Sequence, residues 1–275
     1  MMNADWKRIQ EWAGVTADGI PGPATAKAII AKAGLDRAKI AIKPPAPPEE
    51  MSFAQAQIDL PFLRIAFPAN NATGLAPWVE PTQQACVRWG IDTFREVASF
   101  LANINAESAG LTRLSESLNY KTEVLIAKFG RHRISIEDAQ RYGRNSAHPA
   151  NQEALANILY GGEFGRENLG NVKPGDGWLF RGYGPKQITG RANQTAFAEA
   201  AGIPLADVPA YIRTPEGGMM SAGWFWKSHD LDAKAATPGL ADDRRGINGG
   251  TFGLPDVEAI FDKLIAELLR REKLA

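Results

Sequence analysis

Apolar positions along most of this chain recur every three or four residues, the spacing that lays side chains along one face of a helix. That rhythm predicts helices over Thr82–Trp89, Thr93–Ser108, Lys121–Phe129, Ile136–Tyr142, Asn151–Tyr160, Ala192–Ala201, Thr214–Ser228 and Pro255–Lys273. Strand-like alternation is scarce, so the expected fold class is mainly α. Near the start, Trp6, Ile9, Gln10, Trp12 and Ala13 keep helical spacing, turn residues crowd Asp18–Pro23, and Ala24–Ala33 reads as a further helix.

Between these patterns, Pro44, Pro45, Pro47 and Pro48 break any helix and favour an extended backbone. Residues 42–52 therefore read as a linker, joining a small three-helix-type module over 1–41 to a larger helical domain over 53–275. Residues 1–48 carry a net charge of +3 and the remainder −3, within a chain whose 31 Lys and Arg balance 31 Asp and Glu. The balance argues against a nucleic-acid binder held by charge alone. The basic module reads either as docking on an anionic surface or as a chance imbalance in a short segment.

At 44% hydrophobic and 23% charged, the chain has enough apolar side chain for a sizeable core. No apolar run approaches the 18 or so residues of a membrane span. The start, Met1 to Lys7, lacks the apolar stretch of a secretory signal, so synthesis in the cytoplasm is expected. Cys86 alone forms no internal disulfide, and with His132, His148 and His229 it gives no zinc spacing. Neither metal nor cofactor is expected. Cys86 reads as a small buried hydrophobe, the three histidines as surface or core residues, and Trp224, Phe225 and Trp226 as mostly core.

Candidate chemistry begins at Glu107. In the helix over Thr93–Ser108, Phe100, Ile104, Glu107 and Leu111 fall on one stripe, and Gly110 stands where the helix should end. An apolar stripe and a helix C-terminus both raise a carboxyl's proton affinity, as a general acid requires. The same residue reads equally as a glutamate that reaches solvent or pairs with Arg113. Glu116 follows in a polar connection, and two carboxylates in unlike surroundings are the minimum for glycosidic hydrolysis. The strongest local signal is Gly175–Arg191, where glycines and prolines alternate with Trp178, Arg181, Tyr183 and Gln187. Such a run brings backbone close to a ligand and offers flat rings to sugar faces, or makes tight turns only. A dinucleotide fingerprint is excluded, because Gln187 stands where its third glycine should be.

Taken together, these motifs resemble glycoside hydrolase family 19, especially its bacteriophage endolysin branch. The resemblance runs from about Pro61 to about Ala266 through Phe100–Gly110, Glu116–Tyr120, Gly175–Arg191, Ser221–Trp226 and Ile247–Gly250. It implies a lysozyme-like, chitinase-like helical domain in which Glu107 is the general acid and Glu116 the second acid. Thr189 and Gln187 would line the cleft and help hold the attacking water, and Asn248 would contact an N-acetyl group. Tyr120, Tyr183, Arg181 and Trp178 complete the expected substrate contacts. The chain departs from the family pattern at Ala106, where a histidine is usual, at Tyr183 and at Pro185-Lys186, and by Gly246 before the Ile-Asn-Gly-Gly turn.

Ile9-Gln10 and Asp18 to Ala28 resemble the peptidoglycan-binding-domain-1-like modules of cell-wall enzymes, which marks Trp6, Trp12, Asp18 and Thr25 as wall-binding residues. The combined resemblance implies a monomeric, cofactor-free endolysin that cuts the β-1,4 glycan strands of peptidoglycan by an inverting mechanism. It would reach the periplasm from the cytoplasm on release, with no nucleic-acid partner and no membrane span. The alternatives are a chitinase and a wall-binding protein whose hydrolase has decayed.

Overall fold

The structure is a computed structural model and describes residues 51–237 and 239–275. The small module with Trp6, Trp12, Asp18 and Thr25, and the linker up to residue 50, lie outside the described residues. Ser52, expected at the end of the linker, already belongs to the fold. Its hydroxyl caps the turn Phe53–Ala56 and donates to the Asp92 carbonyl at 2.7 Å.

Among the described residues the architecture is helical, with only isolated β-bridges. The longer helices are α1 (Leu60–Ala66), α2 (Val79–Trp89), α3 (Phe94–Ser108), α4 (Thr122–Phe129), α5 (Ile136–Tyr142) and α6 (Gln152–Leu159). They are followed by α7 (Gly162–Leu169), α8 (Arg191–Ala201), α9 (Pro215–Ser228), α10 (Ala241–Asn248) and α11 (Leu254–Glu272). No described helix is long and apolar enough to cross a membrane.

Among the described residues, every helix expected from periodicity is present, with ends displaced by three residues or fewer, whereas those expected around Trp6–Ala13 and over Ala24–Ala33 lie outside the described residues. Side-chain caps account for several starts: Thr93 caps α3 in a box with Glu96, Asn151 caps α6, and Thr214 caps α9 before Pro215. The Ile-Asn-Gly-Gly segment, expected as a turn, begins inside α10, which runs through Gly246 to Asn248 and is capped by Gly249. Gly246 is tolerated there because a Cβ would fall 2.5 Å from Leu231 Cδ2, so the missing side chain is what lets that leucine pack against the helix.

Among the described residues, three apolar clusters form the interior. The largest packs α3 against α11 and α2 against α9, around Phe62, Phe67, Phe100, Leu101, Trp226 and Leu264. A second gathers Leu118, Leu125, Ile134, Leu155 and Leu159. A third gathers Tyr183, Ile188, Phe197, Ile212 and Trp224. Cys86 is fully buried in the first, and burial pushes its thiol up, as suits a core side chain. Phe225 is half-exposed between its two buried tryptophan neighbours. His132 and His229 are exposed, and His148 is held by Asn145.

Helix α11 steadies α3, and α3 carries Glu107. Leu264→Ala should cost about 2–5 kcal/mol by opening a cavity at that contact. Leu269→Ala, on the exposed face of α11, should stay within about 0.5 kcal/mol. Denaturant midpoints at equal slope check both, and equal losses would mean that α11 does not pack as described.

Candidate active site

Helix α3 ends at Ser108, and the chain then turns through three consecutive residues of positive φ: Ala109 at 50°, Gly110 at 71° and Leu111 at 65°. Glu107 thus lies in the last turn, as the sequence indicates, with Phe100, Ile104 and Leu111 buried along its stripe. Its surroundings differ from the expected ones. The Arg244 guanidinium donates to Glu107 Oε1 at 2.8 Å, and the Lys186 ammonium stands 3.8 Å from Oε2. Arg113 is exposed and is not the partner. An apolar stripe alone does not describe this carboxyl, because two cations from distant segments close over it.

Arg244, with its side chain 4% exposed, also donates to the Asn103 side chain and to the Phe252 carbonyl. Asn248, at the end of α10, donates to that same carbonyl at 3.2 Å, so it joins Glu107 through Arg244. Phe252 itself is 88% exposed. Beside it opens a cavity of about 460 Å3 whose lining includes Asn105, Ala106, Arg244 and Asp256. Ala106, at the position where the sequence departs from the family pattern, is part of that open wall.

Glu116 is held by the Gly175–Arg191 segment. Its backbone N–H donates to the Gly182 carbonyl at 2.8 Å, and its Oε2 accepts from the Gly182 N–H at 3.3 Å. Bridges from Ser115 to Tyr183 and from Tyr183 to Ile188 stitch the loop to this connection. Gly182 is the point of convergence. A Cβ there would fall 2.8 Å from Gln187 Oε1, 3.1 Å from Thr189 Oγ1 and 3.4 Å from Glu116 Cβ. Glu116, Gln187 and Thr189 are therefore brought together over a backbone left bare. Gln187 adopts a positive φ of 57°, and its amide donates to the Gly184 carbonyl at 2.8 Å. Its loop neighbour Lys186 reaches Glu107, so one short segment touches both carboxylates.

The loop is closed at its base. Arg191 donates to both oxygens of Asp176, which also accepts from the backbone N–H groups of Val172 and Lys173. Burial alone would push the Asp176 carboxyl up, but the guanidinium and these donors outweigh it and hold it below the usual carboxylate range. The Arg191 N–H donates to Asn171 Oδ1, and Asn171 donates to the Tyr160 carbonyl. Tyr160 in turn donates its hydroxyl to Glu116 Oε1. Burial, and then the adjoining Glu116 carboxylate, push the phenol well above its usual range, so it remains a donor. Tyr160, Arg244 and Lys186 are the site residues that sequence reasoning misses. Tyr160 ends a predicted helix with nothing local to mark it.

The expected aromatic contacts separate. Trp178 is half-buried with the Arg181 guanidinium 3.4 Å from its ring centroid, so one of its faces is covered. Tyr120 is half-buried, accepts from Lys128 at 2.7 Å and meets Phe129 edge-on. Tyr183 does not serve as expected: it is 3% exposed and packs with Ile188 in the third cluster, so its ring is core and no sugar platform.

This arrangement supplies one carboxyl between two cations and a second carboxyl held by a tyrosine hydroxyl and a backbone N–H, beside Gln187 and Thr189 over Gly182. No family model matches the chain. A protein of Haemophilus influenzae described as a glycosyl hydrolase family 19 domain-containing protein is 34% identical over 161 residues, which cover 58% of this chain and 73% of that protein. Among solved structures, chitinase C from Streptomyces griseus HUT6037 aligns with a TM-score of 0.49 and 19% identity, over 80% of this chain and 96% of its own. A bacterial family 19 chitinase aligns with a TM-score of 0.47 and 18% identity, over 77% and 94%.

Gly182→Ala tests the convergence directly. The new methyl meets the mobile end of Gln187, so the chain should fold with a modest loss of about 1–3 kcal/mol. Displacing Gln187 and Thr189 should lower turnover by about 10²-fold. Thermal unfolding and initial rates on a soluble glycan check this, and full activity would show that the bare backbone is unimportant.

Proposed function

The chain belongs to glycosyl hydrolase family 19, and we propose that this glycoside hydrolase cuts the β-1,4 glycan strands of bacterial peptidoglycan, as an endolysin of the kind that releases bacteriophage. The observation that carries the chemistry is the meeting of Glu107 and Glu116 at one loop, with the Gly182 backbone bare between Gln187, Thr189 and Glu116. The substrate reading rests on the Ile9-Gln10 and Asp18–Ala28 signature of wall-binding modules.

In this mechanism Glu107 protonates the glycosidic oxygen as the bond to the anomeric carbon breaks. Glu116 takes a proton from a water on the opposite face of the sugar, and Thr189 and Gln187 orient that water. Tyr160 keeps the Glu116 carboxylate aimed by occupying one of its oxygens. Exposed Phe252 offers a flat apolar face to a sugar ring at the Arg244 side of the cleft. The product is the inverted anomer.

Glu107→Gln should lower turnover by about 10²–10⁴-fold, because the amide keeps the shape but has no proton of suitable acidity. Digestion of purified murein and of glycol-chitin, with mass spectrometry of the reducing ends, tests the substrate. Faster cleavage of glycol-chitin would move the assignment to chitin, and a retained anomer would overturn the mechanism.

Removing residues 1–48 should leave activity on soluble fragments unchanged and weaken it on intact sacculi, because a tethered wall-binding module raises the local concentration of enzyme. The +3 charge of that segment should make the difference shrink with added salt. Equal rates on sacculi at low salt would remove the targeting role.

A further inference from the structure

Glu107 presents two oxygens with unlike neighbours. Oε1 is taken by Arg244 at 2.8 Å, and Oε2 faces Lys186 at 3.8 Å. A guanidinium keeps its proton at any pH at which the fold survives, whereas a lysine gives its proton up readily once buried. The Lys186 side chain is 11% exposed, and its ammonium lies 4.2 Å from the Phe225 ring centroid. It is a cation inside the active site, against a carboxyl that must be protonated to work.

We propose that Lys186 is the proton reservoir of the site, passing a proton to Glu107 Oε2, from which it goes to the leaving oxygen. This rests on the reading of Glu107 as the general acid. The proton balance closes. The Nζ–H bond breaks and an Oε2–H bond forms, leaving a neutral amine and a neutral carboxyl. The Oε2–H bond then breaks as the departing glycosidic oxygen takes the proton, while Glu116 takes one from the attacking water. Glu116 releases its proton to solvent, and solvent returns one to Lys186. Rotation about the lysine's terminal bonds closes the 3.8 Å gap.

The charged groups facing Lys186 are Glu107 from α3 and Arg244 from α10, with His229 stacked behind Phe225 on α9. Burial, reinforced by Arg244, pushes the ammonium below the usual lysine range, and Glu107 opposes this. Lys186 acts through Glu107 and is a positioning residue for its proton.

The sign of the pH effect follows. Activity requires that the Glu107–Lys186 pair hold a proton, so the alkaline limb of kcat reports the loss of the pair's last proton. With Lys186 present, that loss falls in a lowered lysine range. With methionine there, Glu107 holds the proton alone beside Arg244, and the limb moves to lower pH. Arginine restores the charge without a proton to give, so it moves the limb the same way.

The pH dependence of kcat in the full chain tests this with Lys186→Met and Lys186→Arg. Both should move the alkaline limb to lower pH by more than one unit, which is a loss of about tenfold or more on that limb, with activity retained at the acid plateau. A native profile in Lys186→Arg would reduce the residue to a charge, and a uniform loss with an unmoved limb would reduce it to packing; either overturns the proposal. Should the variants fail to fold, 15N NMR titration of the Lys186 ammonium decides. It should titrate below the usual value of about 10.4 in the native chain, and lower still in Glu107→Gln, where its anion is gone. Titration at the usual value overturns the proposal. An active Glu107→Gln would instead remove the reading of Glu107 itself.

Discussion

The buried ion pair between Asp176 and Arg191 is the constraint from which the rest of the site follows. It closes the loop on which Gly182, Lys186, Gln187 and Thr189 are carried, and both carboxylates are contacted from that loop. A pair of this kind adds little net stability once desolvation is counted, yet losing one partner leaves an expensive buried charge. Its value here is geometric. Arg191 also orients Asn171, which holds the Tyr160 carbonyl, and Tyr160 holds Glu116. The glutamate is thus fixed from the loop side and from α6 by a single chain of donors.

The two carboxylates are rooted in different parts of the interior. Glu107 stands on α3, in the largest cluster, and Glu116 leads into Leu118 of the second, where Tyr160 follows Leu159. The loop between them is seated by Tyr183 and Ile188 in the third. The site lies where three apolar clusters meet, the first and third joined through Trp89 and Phe225, and polar contacts add to the registration that packing supplies.

The helices were legible because each carries its own information: a period of apolar positions and, at Thr93, Asn151 and Thr214, a capping side chain. Short helical turns such as Phe53–Ala56 and Val208–Tyr211 are too brief for a period to register. Glu107 was legible as a carboxylate on an apolar face. Its partners were not, because Arg244 lies 137 residues away and nothing local ties the two together. Tyr183 misled for a related reason. An aromatic in a glycine-rich run serves a ligand or fills a core, and only the contact with Ile188 and Phe197 decides. The departure at Gly246 has no local reason in the sequence, because what it accommodates is a leucine from another element.

Ala109, Leu111 and Gln187 share a backbone feature: all are non-glycine residues at positive φ, and all border the two carboxylates. Each such residue stores strain, commonly about 1–3 kcal/mol in sparsely populated regions, which the surrounding packing must overcome. A sequence under pressure for stability alone would place glycine or asparagine there. Loss of the Gln187 side chain would relieve the backbone and empty the cleft at once, so the site sits on the unfavourable side of a stability–activity trade. Selection of this chain for heat resistance, with no demand for turnover, would therefore be expected to erode its catalytic loop first.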